Sequence, residues 1–245
     1  MILEKIVVEN FMSFYGRHVL SLERGLNFVV GPGGSGKTAL VMAFRFVFAG
    51  RNAWPYSAPL NRLINRKHRE EVANPSCRVE VEIEHEGRKW HAVSSLSLDG
   101  DKAMQSSEMD LGLDESLVSR KLKNVIVNPI ILHKMDVDYL SMCSASTRMN
   151  YAIRKQLDLN LKADIKMVII DGTWGWLNPQ SRTGLLRFID DLPMEQVIIM
   201  VKSFPDYIEN YPHAIHQIEH DHETNSSRIA GSRICRNGKN DSEEG

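Results

Sequence analysis

The chain has 245 residues, 42% hydrophobic and 25% charged, which is typical of a soluble globular protein with one large α/β domain or two small ones. Its net charge of −1 at pH 7 excludes an overall electrostatic attraction to nucleic acid, so any such contact would depend on a local basic patch. Three widely spaced cysteines argue against a zinc site or a disulfide framework and indicate a reducing interior, and no hydrophobic run is long enough to span a membrane.

Three strands and a helix are predicted in the first 50 residues. Residues 2–9 are rich in β-branched side chains and form the first predicted strand. A polar and aromatic turn over residues 10–16 leads to a second strand at 18–22, and residues 26–30 form a short apolar third strand. Residues 39–48 are apolar enough for a mostly buried helix.

A glycine-rich loop joins the third strand to this helix, with the sequence Gly31-Pro32-Gly33-Gly34-Ser35-Gly36-Lys37-Thr38. It fits the P-loop pattern G-x-x-x-x-G-K-[ST] in the strand-loop-helix context that the motif requires. The glycines allow consecutive backbone N–H groups to point inward at a helix N-terminus, where they bind anions. Lys37 would reach the β- and γ-phosphates, and the Thr38 hydroxyl would bind Mg²⁺. The sequence therefore predicts a site for ATP and Mg²⁺.

The middle of the chain predicts a hairpin followed by a loop. Residues 78–84 alternate apolar and acidic side chains and pair with 89–93 across a turn. Residues 94–112 are rich in Ser, Gly, Asp and Met without a clear period and predict a loop, after which 124–127 form a strand. A basic cluster over residues 62–69 is either a contact to DNA phosphates or, in the favoured interpretation, a solvated loop.

The last third predicts alternating helices and core strands. Helices are expected from about 146 to 157 and from 179 to about 189, and strands at 166–171, 196–201 and 214–218. Residues 220–245 lack an apolar period and are predicted to form a disordered tail.

Asp171 directly follows the apolar strand Val168-Ile169-Ile170, which is the Walker B pattern. It is either a Mg²⁺-binding acid, the favoured interpretation, or an ordinary acid at a strand end. Two tryptophans follow, Trp174 and Trp176, and they suit either a protein interface or core packing.

Residues 6–14, with Asn10-Phe11-Met12-Ser13, resemble the opening strand and Asn-Phe-x-Ser turn of the head domains of SMC proteins (structural maintenance of chromosomes). The family's P-loop usually reads G-P-N-G-S-G-K-S, so this chain differs at Gly33 and Thr38, and both changes keep the chemistry. Residues 44–50 and the hairpin over 79–93 continue the resemblance.

The resemblance implies an α/β P-loop NTPase fold of the ABC/SMC-head type, with a mixed β-sheet, an N-terminal antiparallel β-subdomain and flanking helices. The head would span residues 1–219, with an N-lobe of about 1–161 and a C-lobe of about 162–219. It also implies that Asn10, Ser13 and Arg17 lie near the adenine and phosphates, although an ordinary surface turn is an equal alternative.

Several positions depart from the family pattern. The family's catalytic Glu follows the Walker B Asp, but this chain has Gly172, which supplies no base. Lys202 follows the last core strand where the family often has a switch His, and Lys134 stands in place of the Q-loop Gln. Lys37 and Asp171 are therefore only supporting groups for phosphoryl chemistry, and we expect hydrolysis to be weak or dependent on a partner.

The signature motif Leu-Ser-Gly-Gly is not found. Leu140-Ser141-Met142-Cys143 lies at a suitable distance before Asp171, but Met and Cys cannot replace the two glycines. The favoured interpretation assigns residues 131–157 to the Q-loop region and the helix that leaves the head to begin a coiled coil. The coiled-coil arms and the signature helix are then missing from the chain.

The implied function is an ATP-binding, SMC-like head in chromosome maintenance or DNA repair, in which Mg-ATP drives engagement with a signature-bearing partner. DNA is a possible further partner, no membrane partner is expected, and the location would be cytoplasmic or nuclear (nucleoid). One alternative is a nucleotide-binding pseudo-ATPase that serves as a regulatory or assembly subunit. An ABC transporter ATPase is a further alternative, disfavoured by the missing signature.

Overall fold

A computed structural model describes residues 2–49, 60–85, 87–100, 102–110, 126–127, 145–162, 166–172, 174–203, 213–236 and 239–240. These residues form two β-sheets with helices packed against them. Residues 51–59 and 128–144 lie outside this part, so the structure does not test the predictions made for Lys134 and for 140–143. No described helix has the length and hydropathy needed to cross a membrane.

The first sheet is antiparallel and has five strands in the order β2-β1-β4-β5-β6. Its alternating apolar side chains face inward, as the hairpin pattern predicts, and Val79, Val81 and Ile83 are all buried. This sheet is the predicted N-terminal antiparallel subdomain, which is thereby confirmed. The strands are β1 (Ile2–Glu9), β2 (Arg17–Ser21), β4 (Ser76–His85), β5 (Arg88–Asp99) and β6 (Lys102–Asp110).

The second sheet is mixed and has seven strands in the order β12-β11-β10-β3-β9-β8-β7. The five strands from β10 to β7 run parallel, and β11 and β12 pair antiparallel at one edge. The strands are β3 (Gly25–Val30), β7 (Ile126–Val127), β8 (Met167–Ile170), β9 (Gln196–Val201), β10 (His213–Asp221), β11 (Ser226–Arg236) and β12 (Lys239–Asn240).

The helices lie on both faces of the second sheet. Helix α1 (Lys37–Ala49) packs between the two sheets in one apolar cluster, and α3 (Ala145–Lys162) and α4 (Pro179–Asp190) cover the opposite face in another. Neighbouring strand residues therefore enter different cores: Val29 faces α1, whereas Phe28 faces α3 and α4. Because both faces of these strands are buried, their sequences are continuously apolar and do not alternate with polar residues. Three short segments complete the described helices: 3₁₀ turns at Leu60–Leu63 and Trp174–Trp176, and α2 at Arg66–Glu71.

Two predictions of irregular structure are wrong. Most of residues 94–112, predicted as a loop, belongs to β5 and β6, which pair from His91 with Asp110 to Asp99 with Lys102. The predicted disordered tail from residue 220 instead contains the end of β10 and the whole of β11, paired from His213 with Cys235 to Asp221 with Ser226. Both segments are rich in Ser and lack a hydrophobic period, but backbone pairing to a neighbouring strand specifies them.

The prediction that the helix near residues 146–157 leaves the head is also wrong for the described residues. Helix α3 buries Ile153 and Leu157 completely in the core, because residues four apart share one helix face. Its polar side chains hold α4: Asn150 Nδ2 donates to the Ser181 carbonyl (3.0 Å) and Arg154 to the Gly184 carbonyl (2.7 Å). The lobe boundary at about 161 stays a prediction, since β3 and β7 share the sheet with later strands.

Candidate nucleotide-binding site

The glycine loop runs from the end of β3 to the first residue of α1, Lys37, as the sequence predicts. Gly34 and Gly36 have φ angles of 80° and 103°, in the left-handed region that side chains with a Cβ rarely adopt. Gly33 and Gly34 are exposed, and a Cβ at either position would meet nothing within 4 Å. The loop is therefore curled by its own glycines and open to solvent along this stretch.

Two other glycines of the loop lie against the β10–β11 hairpin. A Cβ at Gly31 would overlap the carbonyl oxygen of Ile218 on β10, and one at Gly36 would overlap the hydroxyl of Ser227 on β11. The Gly31 N–H also donates to the carbonyl of Val201 at the end of β9 (3.1 Å). Close approach as well as curvature therefore requires glycine in this loop.

The ammonium group of Lys37 is held inside the loop. Its Nζ donates to the carbonyls of Gly31 (2.6 Å) and Pro32 (2.7 Å) and, at 3.3 Å, to Ser35 Oγ. Burial lowers the pKa of Lys37; the charge of Asp171 opposes this effect and that of Lys202 adds to it. The structure thus brings the P-loop lysine and the predicted Walker B acid into one electrostatic environment.

Thr38 and Asp171 lie at the same edge of the sheet. Thr38 is exposed in the first turn of α1, and Asp171 is buried (6% exposed) directly after β8. The parallel strands β3, β8 and β9 all end at this edge, which is where open α/β sheets bind ligands. A loop with left-handed glycines, an exposed hydroxyl and a buried acid fit a triphosphate with Mg²⁺.

The side-chain oxygen of Asn10 closes the turn that follows β1. Asn10 has a φ of 50°, its Oδ1 accepts from the Gly16 N–H (2.8 Å), and its N–H donates to the Gly16 carbonyl (3.0 Å). Its own carbonyl accepts from the N–H of Asn65 (2.7 Å), which caps α2. Asn10 therefore shapes the segment that carries Ser13, and a contact with adenine stays a prediction, as it does for the exposed Arg17.

Ser13 is brought directly to the P-loop. Its hydroxyl oxygen lies 3.0 Å from the position of a Cβ at Gly36, and its carbonyl accepts from the N–H of Ser227 (2.8 Å). The sequence did not indicate Ser227, which packs against the P-loop, because it lies in the segment predicted to be disordered. In the sequence, only the resemblance of residues 10–14 to the Asn-Phe-x-Ser turn of SMC heads indicated that this turn lies near the P-loop.

The positions that depart from the family pattern carry no base. Gly172 directly follows Asp171, is exposed and has a φ of 71°. Lys202 is exposed after β9. Gly172 has no side chain and therefore cannot polarise an attacking water in the way the family's Glu does.

The tryptophans and the basic cluster have clear positions. Trp174 is buried (3% exposed) with its ring edge-to-face on Phe28, whereas Trp176 is 59% exposed.

In α2, Arg66 pairs with Glu70 (2.8 Å) and Lys67 with Glu71 (3.9 Å), and all four side chains are well exposed. These ion pairs neutralise much of the predicted cluster and favour the solvated interpretation over a DNA contact.

Comparison with known proteins identifies the family. The model of the RecF/RecN/SMC N-terminal domain family matches residues 2–137, more than half of the chain. The chain belongs to this family. A curated relative of this SMC-type head is the chromosome condensation protein dpy-27 of Caenorhabditis elegans, 39% identical over 66 residues. That match spans 26% of this chain and 4% of the relative's length.

Solved SMC heads share the fold. The SMC head domain from Thermotoga maritima superposes with a TM-score of 0.64 at 15% identity, and the SMC head bound to the C-winged helix domain of ScpA with a TM-score of 0.72 at 13% identity. Each match covers 94% of this chain and 98% of the other chain. The predicted SMC-like head fold is therefore confirmed.

Proposed function

We propose that this SMC-type head binds Mg-ATP and uses it to engage a partner in chromosome maintenance or DNA repair. The observation that carries the proposal is the P-loop: Gly34 and Gly36 adopt left-handed angles, and Lys37 begins α1 within the electrostatic influence of Asp171. Such a loop binds phosphates through backbone N–H groups and a lysine.

Each group of the site has a separate proposed role in binding. The backbone N–H groups of residues 33–36 hold the phosphates, and Lys37 exchanges its bonds with the Gly31 and Pro32 carbonyls for phosphate oxygens. Thr38 and Asp171 hold Mg²⁺, which supplies charge neutralisation at the β- and γ-phosphates when bound. Asn10 orders the turn that places Ser13 against the loop.

A partner that carries an intact signature motif would complete the site. The only candidate signature in this chain, 140–143, has Met and Cys in place of glycines. One SMC head of similar fold is bound to ScpA, which supports association with a partner, and dpy-27 is named for chromosome condensation, which supports a chromosomal role. The proposed location is therefore nuclear, or the nucleoid in a bacterium.

The Mg²⁺ assignment is tested by titrating a fluorescent ATP analogue with and without Mg²⁺. In wild type we expect Mg²⁺ to increase the affinity at least tenfold, and in Asp171→Asn we expect most of this increase to be lost, because a neutral amide is a weaker Mg²⁺ ligand. An equal Mg²⁺ effect in both proteins would remove Asp171 from the site. Asp190→Asn, at the end of α4 on the opposite face of the sheet, is the matched control.

Gly172 favours a second candidate, a pseudo-ATPase that binds nucleotide without hydrolysing it. A single-turnover assay with excess protein over Mg-ATP distinguishes the two functions. The pseudo-ATPase predicts no product above the uncatalysed rate in wild type. Product formation that Lys37→Ala abolishes would exclude it and would require a base other than the residue after Asp171.

A further inference from the structure

Two buried hydroxyl groups meet at Gly36 of the P-loop. Ser227 is fully buried (0% exposed), and the hydroxyl oxygens of Ser227 and Ser13 are both inaccessible to solvent. Neither hydroxyl has a hydrogen-bond partner in the part of the chain that the structure describes. A Cβ at Gly36 would overlap the Ser227 hydroxyl and would lie 3.0 Å from the Ser13 hydroxyl, so both face the loop one residue before Lys37.

Backbone contacts fix the position of this hydroxyl pair. The Ser227 N–H donates to the Ser13 carbonyl (2.8 Å), and Ser227 forms a parallel bridge with the buried Phe14. On its other side Ser227 pairs with His220 of β10. The two side chains are therefore held against the loop by the sheet and by the turn after β1, whatever their own bonding.

The neighbouring serine shows that an unpartnered hydroxyl is not a general feature of this hairpin. Ser226 is also buried (4% exposed), but its hydroxyl bonds with Thr224 Oγ1 at 2.5 Å. A buried hydroxyl without a partner is destabilising and rare in native proteins. Two such groups on one face of a phosphate-binding loop point to a partner that is formed in another state of the loop.

We propose that Ser227 is a positioning residue of the nucleotide site, whose hydroxyl, beside that of Ser13, donates to the P-loop backbone at Gly36 when the Gly36 N–H is occupied by a phosphate oxygen. The inference rests on the proposed function, since phosphate binding draws Lys37, the residue after Gly36, from the Gly31 and Pro32 carbonyls. The β10–β11 hairpin then forms one wall of the site.

The variant Ser227→Ala gives effects of opposite sign on stability and binding. In the free protein it removes an unpartnered hydroxyl, so we expect the melting temperature to stay the same or rise. In the bound protein it removes a hydrogen bond, so we expect the affinity for a fluorescent Mg-ATP analogue to fall about 5- to 10-fold. Ser13→Ala should change affinity in the same direction.

Ser226→Ala is the matched control, because it removes a hydroxyl that already has a partner. We expect it to lower the melting temperature and to leave the affinity within twofold of wild type. The positioning role is overturned if Ser227→Ala binds like wild type, or if it loses stability as Ser226→Ala does, including complete failure to fold.

The Lys37→Ala variant separates failure of this inference from failure of the proposed function. Wild-type binding that Lys37→Ala abolishes and Ser227→Ala leaves unchanged would refute the positioning role alone. Absence of nucleotide binding in wild type would refute both.

Discussion

The side chain of Gln196 on β9 completes the backbone hydrogen bonds of Leu3 on β1. Its Oε1 accepts from the Leu3 N–H and its Nε2 donates to the Leu3 carbonyl, both at 2.9 Å, and Nε2 also donates to the Glu23 carbonyl (2.9 Å). Gln196 is fully buried, and β1 has a register shift between Leu3 and Lys5. The carboxamide thus acts as a peptide group that joins the two sheets.

Replacing Gln196 with Leu should destabilise the protein by about 2–4 kcal/mol, because the Leu3 N–H and carbonyl would remain buried without partners. Urea denaturation followed by circular dichroism measures the change. Gln217→Leu, at an exposed position on β10, is the control and should change stability by less than about 0.5 kcal/mol. If Gln196→Leu lowers the free energy of unfolding by less than about 0.5 kcal/mol, the junction of the two sheets does not depend on this side chain.

His216 on β10 belongs to a buried polar network. Its Nε2 lies 3.0 Å from Asn27 Oδ1 and its Nδ1 lies 2.8 Å from Ser232 Oγ. Asn27 Nδ2 donates to the Glu23 carbonyl (2.7 Å), which identifies Oδ1 as the acceptor and places the neutral imidazole proton on Nε2. Burial lowers the pKa of His216 to about 4 from an ordinary value of 6.5.

Because the folded protein disfavours protonation of His216, the free energy of unfolding should fall as the pH is lowered. The unfolded chain binds a proton at His216 below about pH 6.5, whereas the folded chain does so only below about pH 4. The contribution of neutral His216 to the free energy of unfolding is fully present above pH 6.5, and about 2–3 kcal/mol of it is lost by pH 4. Denaturation midpoints from pH 7.5 to 4 should fall less steeply in His216→Gln than in wild type or in the exposed control His222→Gln. Parallel profiles for His216→Gln and wild type would contradict the assignment.

Gly36 and Gly33 should respond differently to alanine. Gly36→Ala places a Cβ in contact with Ser227 at a φ of 103°, so we expect a loss of at least 2 kcal/mol or of nucleotide binding. Gly33→Ala puts a methyl group into open space and should fold and bind nearly as wild type does. Thermal melting and analogue titration of both variants measure the difference. Equal effects would mean that the contact with Ser227 is not the reason for glycine at 36.

The two tryptophans should differ as core and surface residues do. Trp174→Ala removes a buried ring that packs on Phe28 and should cost about 3–5 kcal/mol. Trp176→Ala removes an exposed ring and should change the free energy of unfolding by less than about 0.5 kcal/mol. Chemical denaturation of both variants tests this, and a large loss for Trp176→Ala would assign it to core packing.

The sequence predicted the features that depend on local pattern. The P-loop between β3 and α1, the acid after β8 and the alternating hairpin of β4 and β5 were all found from residue type and spacing. It could not predict β6 and β11, whose many Ser and charged residues lack a hydrophobic period; partner strands specify them. For the same reason Ser227 was missed: its role depends on a contact with Gly36, 191 positions away in the chain.

Equilibrium binding of a fluorescent ATP analogue with Mg²⁺ tests the central claim most directly. Wild type, Lys37→Ala and the control Gly33→Ala are compared in the same titration. The account predicts saturable binding by wild type and by Gly33→Ala, and at least a 100-fold loss of affinity in Lys37→Ala, because the lysine is the charged side chain that reaches the β- and γ-phosphates. Equal binding by wild type and Lys37→Ala, or none by wild type, would contradict it.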